Sequence, residues 1–379
     1  MGVILTYIEE AGDIRMNFKF HMPVRAYFGP GCVAENSGEL ASFGKRALIV
    51  AGGRSARESG ALQDICAALD GQKIGYSIFD KVENNPSLNT VKAGGNEAKR
   101  SRADFIIGIG GGSPLDASKA IAVLAVNDME AGGLFANTFK NTPLPIIAIP
   151  TTAGTGSEVT PYSVLTRDDL QTKASFGNAD TFPRIAFLDP HYTESLPREV
   201  TVNTAVDALS HCIEGYISKL STPVSDILAQ EGIRKFGLCL KNLIKDNIRY
   251  EDRENLLYAS MLGGMVISHT STTIVHGAGY NLTYFKGIPH GKANGYLLAE
   301  YLRYNYEFAK AKIDHIIDLM QLGGISDFSA AIEALIGKAP VLTGEEIEKY
   351  AAKTMAQRST ERNIRPVTEA DVKDLLKKI

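Results

Sequence analysis

Through its first half the chain sets short, mostly apolar runs rich in isoleucine and valine between stretches where apolar residues recur every three or four positions. The runs are KRALIVAGG (45–53), KIGYSIFDKV (73–82), ADFIIGIGGG (103–112), PLPIIAIPTT (143–152) and RIAFLDP (184–190). A strand apolar on both faces must be covered on both, and each run is followed by turn residues and a helical pattern. That order predicts a parallel sheet with helices on either side. After about residue 197 the runs cease, and segments such as VNTAVDALSHCIEGYISKL and PVSDILAQEGIRKFGLCLKNLI keep a helical spacing. The expected architecture is an α/β domain with a parallel sheet over 16–197 and an all-helical domain over 198–379, with a cleft between them. Residues 1–15 are expected to be an N-terminal extension, with Met16 a plausible start.

Composition narrows the partners. The 379 residues carry 40 basic and 43 acidic side chains, well mixed, for a net charge of -3. This balance lacks the basic stripe that nucleic acid or an acidic membrane requires. No apolar run approaches the roughly 20 residues of a membrane span, and the acidic N-terminus does not read as a signal peptide. The expectation is a soluble cytoplasmic protein. Cys32, Cys66, Cys212 and Cys239 show no CxxC spacing and are expected to be reduced packing residues.

Two loops carry candidate chemistry. In GIGGGSPLDASKAIA (108–122), Gly110, Gly111 and Gly112 precede a helix opened by Ser113, Pro114 and Asp116. Such a helix start offers free N–H groups to an anion, and the glycines let a pyrophosphate approach. The final glycine of the usual GxGxxG fingerprint is replaced by Ser113, so a tight turn without a ligand fits this loop equally well. The second loop, IPTTAGTGSEVT (149–160), crowds Thr151, Thr152, Thr155 and Ser157 around two glycines. Both loops follow neighbouring strands, where doubly wound sheets bind nucleotides. In the helical half, Asp207 and His211 stand four apart and share a helix face, either as a metal clamp or as an ordinary acid–histidine pair. Adding His276 and His290, each followed by glycine and fourteen positions apart, gives one carboxylate and three imidazoles, a set that suits Fe(II) or Zn(II).

These motifs, GGGSPLDASKA, TTAGTGSEVT, DALSHCIE and the VHG and PHG pair, resemble in order those of the iron-containing alcohol dehydrogenase family, which shares its fold with dehydroquinate synthase. The likeness runs from about Phe20 through NIRPVTEADV (363–372). It implies an N-terminal dinucleotide-binding domain and a C-terminal metal-binding domain. The metal ligands would be Asp207, His211, His276 and His290. The cofactor loops would be Gly110–Ser113 and Thr151–Thr155, with Lys173 near the nicotinamide and Asp116 beside them. The implied reaction is hydride transfer between NAD(P)H and a small aldehyde or primary alcohol, with Fe2+ or Zn2+ as the metal. Relatives of this kind form homodimers or larger assemblies.

Two departures stand out. Tyr280 occupies the position, four residues after the third ligand, where many members place a proton-relaying histidine. A phenol with an ordinary pKa near 10 relays poorly at neutral pH. Tyr280 is therefore either a substitute relay or a pocket wall, and His269 either a second proton path or a satisfied helix histidine. After the first strand run, Gly52, Gly53, Arg54 and Ser55 replace the aspartate that holds NAD ribose in relatives, which suits NADP over NAD. Asn84 and Asn85 are further adenosine-side candidates. Two alternatives to a simple aldehyde reductase remain at this stage: a reductase of a hydroxy- or acid-bearing aldehyde, and a weakly catalytic nucleotide-binding scaffold.

Overall fold

A computed structural model describes residues 17–379; the expected extension over 1–15, with Met16, lies outside the described residues. Strands β1 (Arg25–Phe28), β2 (Arg46–Gly52), β3 (Gly75–Val82), β4 (Phe105–Gly110), β5 (Ile146–Pro150) and β8 (Ile185–Leu188) form one sheet in the order β1-β8-β5-β4-β2-β3. Every pairing in it is parallel. The apolar runs are the interior strands: β4 and β5 are buried at every position, whereas the edge strand β3 leaves Tyr76 and Ile78 partly exposed.

Strand periodicity divides the core in two. Odd-numbered residues such as Ile49, Ile107 and Ile147 pack with Leu62, Ile65 and Leu69 of helix α3 (Ala61–Gly71). Even-numbered Leu48, Val50, Ile106 and Ile146 face the other way, onto α4 (Leu88–Ser101) and α5 (Gly112–Val126). Two single-turn helices, α1 (Cys32–Glu35) and α2 (Ser55–Glu58), occupy connections. An antiparallel hairpin of β6 (Ser163–Arg167) and β7 (Thr172–Phe176) leaves the main sheet. The apolar-run pattern did not predict it, because these strands are short and mixed, and their turn uses Gln171 at φ 50° instead of glycine.

The second half is helical: α6 (Arg198–Tyr216), α7 (Pro223–Ile244), α8 (Tyr250–Thr270), α9 (Ile274–Lys286), α10 (His290–Leu319), α11 (Ile325–Ile336), α12 (Gly344–Met355) and α13 (Glu369–Lys377). α6 is the axis of this half, buried at nearly every position from Thr201 onward and packed against α7, α8 and α10. That burial explains why its sequence lacks a clear polar face. α7 begins on a capping box, Thr222 with Ser225, and carries Pro223 in its first turn. Among the described residues no helix is long and apolar enough to cross a membrane.

Candidate metal and nucleotide site

The nucleotide side forms at the carboxyl ends of β2, β4 and β5. Gly110 ends β4 at φ 142°, a conformation reserved for glycine, and Gly112 opens α5. A methyl group built onto Gly112 would lie 2.6 Å from Thr155 Cγ2, and one on Gly111 would lie 3.2 Å from Thr152, so the two loops stand side by side. Gly52 borders the same patch, its built Cβ 3.6 Å from Pro114 Cγ. The Asn85 N–H donates to Ser113 Oγ at 3.1 Å, and the Thr151 N–H donates to the Gly110 carbonyl at 2.9 Å. Backbone N–H groups at the start of a fifteen-residue helix, flanked by hydroxyls, are a fitting cradle for phosphate oxygens. At the rim, beside Gly53 and Ser55, the Arg54 side chain is 86% exposed and stands 3.6 Å from Glu58.

The Asp116 carboxylate is hydrogen-bonded within the protein. Its Oδ1 accepts from Ser157 Oγ at 2.5 Å and its Oδ2 from the Val164 N–H at 3.0 Å. In this structure it is a brace between α5, the threonine loop and β6. The buried Lys119 completes the brace, donating to Ser157 Oγ at 2.7 Å and to the Tyr162 carbonyl. Burial pulls Lys119 down to about 8 and pushes the neighbouring Glu158 up to about 7.

The metal side is built from three helices. Asp207 lies midway along α6, His276 in the first turn of α9, and His290 is the first residue of α10. His276 Nε2 and His290 Nε2 stand 3.7 and 3.9 Å from Asp207 Oδ1. All three donor atoms surround the Asn294 amide nitrogen, at 2.9 Å for Asp207 and 3.1 and 3.3 Å for the imidazoles. One carboxylate oxygen and two imidazole nitrogens converging in a largely buried place fit a borderline divalent cation.

His211 stands apart from that trio. Its ring stacks on His276 with centroids 4.8 Å apart, and its Nδ1 has no hydrogen-bond partner among the described residues. The expected four-ligand set therefore appears as three converging donors with a fourth imidazole stacked alongside. Burial holds His211 down at about 4 and pulls His290 well below the usual imidazole range. His276 moves the other way: burial opposes its charge, but the Glu214 carboxylate against Nδ1 raises it. Asp207 is lowered, because the attraction of His211, His290 and His276 outweighs its burial.

Tyr280 lies flat on His290, ring centroids 5.2 Å apart, and Lys173 of β7 sets its ammonium 5.6 Å from the Tyr280 ring. Burial pushes the phenol far up and lowers Lys173. His269 has both nitrogens engaged elsewhere: Nδ1 is 2.8 Å from the Met265 carbonyl, Nε2 accepts from the His21 N–H at 2.9 Å, and Phe20 stacks on the ring. It ties the N-terminal segment to α8. Sequence reading missed Glu214 and Asn294, although their spacing carried a signal: Glu214 follows Asp207 by seven, and Asn294 follows His290 by four, each on the ligand's helix face.

Comparison with known proteins agrees with this geometry. Residues 23–190 match the model of the iron-containing alcohol dehydrogenase family, and 201–379 that of the Fe-containing alcohol dehydrogenase family, C-terminal. The chain is 34% identical over 327 residues to a 1,3-propanediol dehydrogenase of Klebsiella pneumoniae, covering 84% of each protein. It is 30% identical over 369 residues to a lactaldehyde reductase of Escherichia coli, covering 92% of this chain and 96% of that one. A crystal structure of an iron-containing alcohol dehydrogenase from Thermotoga maritima superposes with a TM-score of 0.89 at 37% identity, over 96% of this chain and 99% of that one. With both halves matched in order along nearly its whole length, the chain belongs to the iron-containing alcohol dehydrogenase family.

Proposed function

We propose that the chain is a metal-dependent alcohol dehydrogenase or aldehyde reductase interconverting a small primary alcohol and its aldehyde, with Fe(II) as the metal and NADP as the hydride carrier. The observation that carries this reading is the convergence of Asp207 Oδ1, His276 Nε2 and His290 Nε2 within a turn of the place where the threonine loop packs on α6, a Cβ built on Gly154 lying 2.6 Å from Thr204 Cβ. A nucleotide on the loops and a cation among the ligands would thus be neighbours. Asp207, His276 and His290 would hold the metal, with His211 turning in from its stacked position as a fourth ligand. When bound, such a cation supplies Lewis-acid polarisation of an alcohol or aldehyde oxygen, and the nicotinamide supplies or accepts hydride.

The chain's own residues shape the rest. Tyr280 walls the cleft over His290, and the buried Lys173 places a positive charge near the same wall. Gly110–Ser113, Thr152 and Thr155 would receive the phosphates at the start of α5. The names of the relatives, a propanediol dehydrogenase and a lactaldehyde reductase, support a small substrate.

The preference for NADP rests on Gly52–Ser55, which carries no acid to repel a 2′-phosphate and holds the exposed Arg54 at its edge. Initial rates with both coenzymes test it. Arg54→Ala is expected to raise KM for NADPH about tenfold, the effect of one lost charge-assisted contact, and to leave KM for NADH within about twofold. Equal shifts for both coenzymes, or a parent enzyme that works better with NADH, would contradict the preference.

A further inference from the structure

Glu214 is a fully buried carboxylate on α6 whose charged neighbour is an imidazole, not a lysine or arginine. Its Oε1 accepts from the Thr273 N–H at 2.8 Å, from Thr273 Oγ1 at 2.7 Å and, more loosely, from the His276 N–H at 3.4 Å. Its Oε2 meets His276 Nδ1. Thr273 is the residue before α9, so the carboxylate sits on the positive end of that thirteen-residue helix and satisfies its free N–H groups. Thr273 Oγ1 also lies 3.1 Å from the hydroxyl of Tyr301, itself fully buried on α10. One acidic side chain thus links the start of α9 to α6 and, through Thr273, to α10.

A carboxylate can only accept from Nδ1, so the hydrogen of neutral His276 is placed on Nδ1 and its Nε2 lone pair faces Asp207 and His290. We infer that Glu214 is the positioning residue of the metal centre: it fixes the His276 tautomer and holds the first turn of α9 so that Nε2 is available to the cation. This rests on the metal reading above. It also explains how two buried carboxylates, Asp207 and Glu214, share one interior: a dication among the ligands balances both charges.

Glu214→Gln is a sharp probe because it keeps the shape and changes the hydrogen-bond polarity. Its carbonyl oxygen would remain with the two Thr273 donors, which turns the amide NH2 towards His276 Nδ1. The imidazole must then carry its hydrogen on Nε2, where it blocks the metal. Metal-free parent and variant are titrated with Co(II) by visible absorption, with NADPH by fluorescence, and the histidine tautomer is read by nitrogen-15 NMR. The expected result is a Co(II) affinity about 10- to 100-fold weaker, unchanged NADPH affinity, and a His276 resonance shifted from the Nδ1–H to the Nε2–H form. Co(II) affinity within twofold of the parent, or an unchanged tautomer, would overturn the assignment. Should the variant not fold, Thr273→Val removes one donor and keeps the carboxylate; a several-fold weaker Co(II) affinity supports the assignment and an unchanged one overturns it. A parent that takes up no Co(II) would instead defeat the metal reading itself, and this inference with it.

Discussion

Tyr280 meets His290 face to face, and burial keeps its phenol protonated far above neutral pH. A phenol that stays protonated relays a proton poorly, and we propose that Tyr280 is a pocket wall and not the relay. Tyr280→Phe is accordingly expected to leave kcat within about threefold of the parent and to leave the shape of its pH profile unaltered between pH 6 and 9. Loss of a true general acid or base would cost about 100-fold or more and remove a limb of the profile. At this scale the sequence was informative for residues whose type announces chemistry: Asp207, His276 and His290 do converge. It was uninformative where a polar residue serves another polar residue. Asp116 opens the helix after the glycine loop, and its bonds to Ser157 and Val164, partners 41 and 48 positions away, were not readable from the sequence. His269 was a candidate proton path and instead receives the N–H of His21, a partner 248 positions away.

Elements position the site through where helices begin. His276 and His290 lie in the first turns of α9 and α10; the start of α10 is pressed against α6, and that of α9 is tied to α6 by Glu214. The glycine after His290 has a specific reason: a Cβ on Gly291 would run into the Asn203 carbonyl and come within 2.9 Å of Asp207 Cβ. Gly291→Ala is expected to lower unfolding stability by about 2 kcal/mol, typical of overpacking, and to weaken Co(II) binding at least tenfold by forcing His290 away from Asp207. Chemical denaturation and metal titration check both, and a variant matching the parent in each would refute the tight α6–α10 contact. The interior strands were legible because burial on both faces leaves a continuous apolar run. The β6–β7 hairpin was not, since its residues alternate over only five positions a strand and its turn lacks the usual glycine.

At the scale of the molecule, two differently built halves each supply part of one site. The sheet contributes loops at its carboxyl edge, the helices contribute the converging Asp207, His276 and His290, and Gly154 and Lys173 of the first half stand against Thr204 and Tyr280 of the second. The division into an α/β and a helical half was readable from where the apolar runs stop, because sheet and helix impose different periods on the same residue types. How the halves face each other was not readable, since contacts such as Lys173 over Tyr280 join positions far apart in the chain. The central claim is that a cation held by Asp207, His276 and His290 beside the nucleotide loops is required for aldehyde reduction. The most direct test is the rate of NADPH oxidation with a short aldehyde before chelation, after exhaustive anaerobic chelation, and after Fe(II) is restored. The account predicts loss of turnover on chelation and its return with Fe(II). Full turnover by protein shown to contain no metal would contradict it.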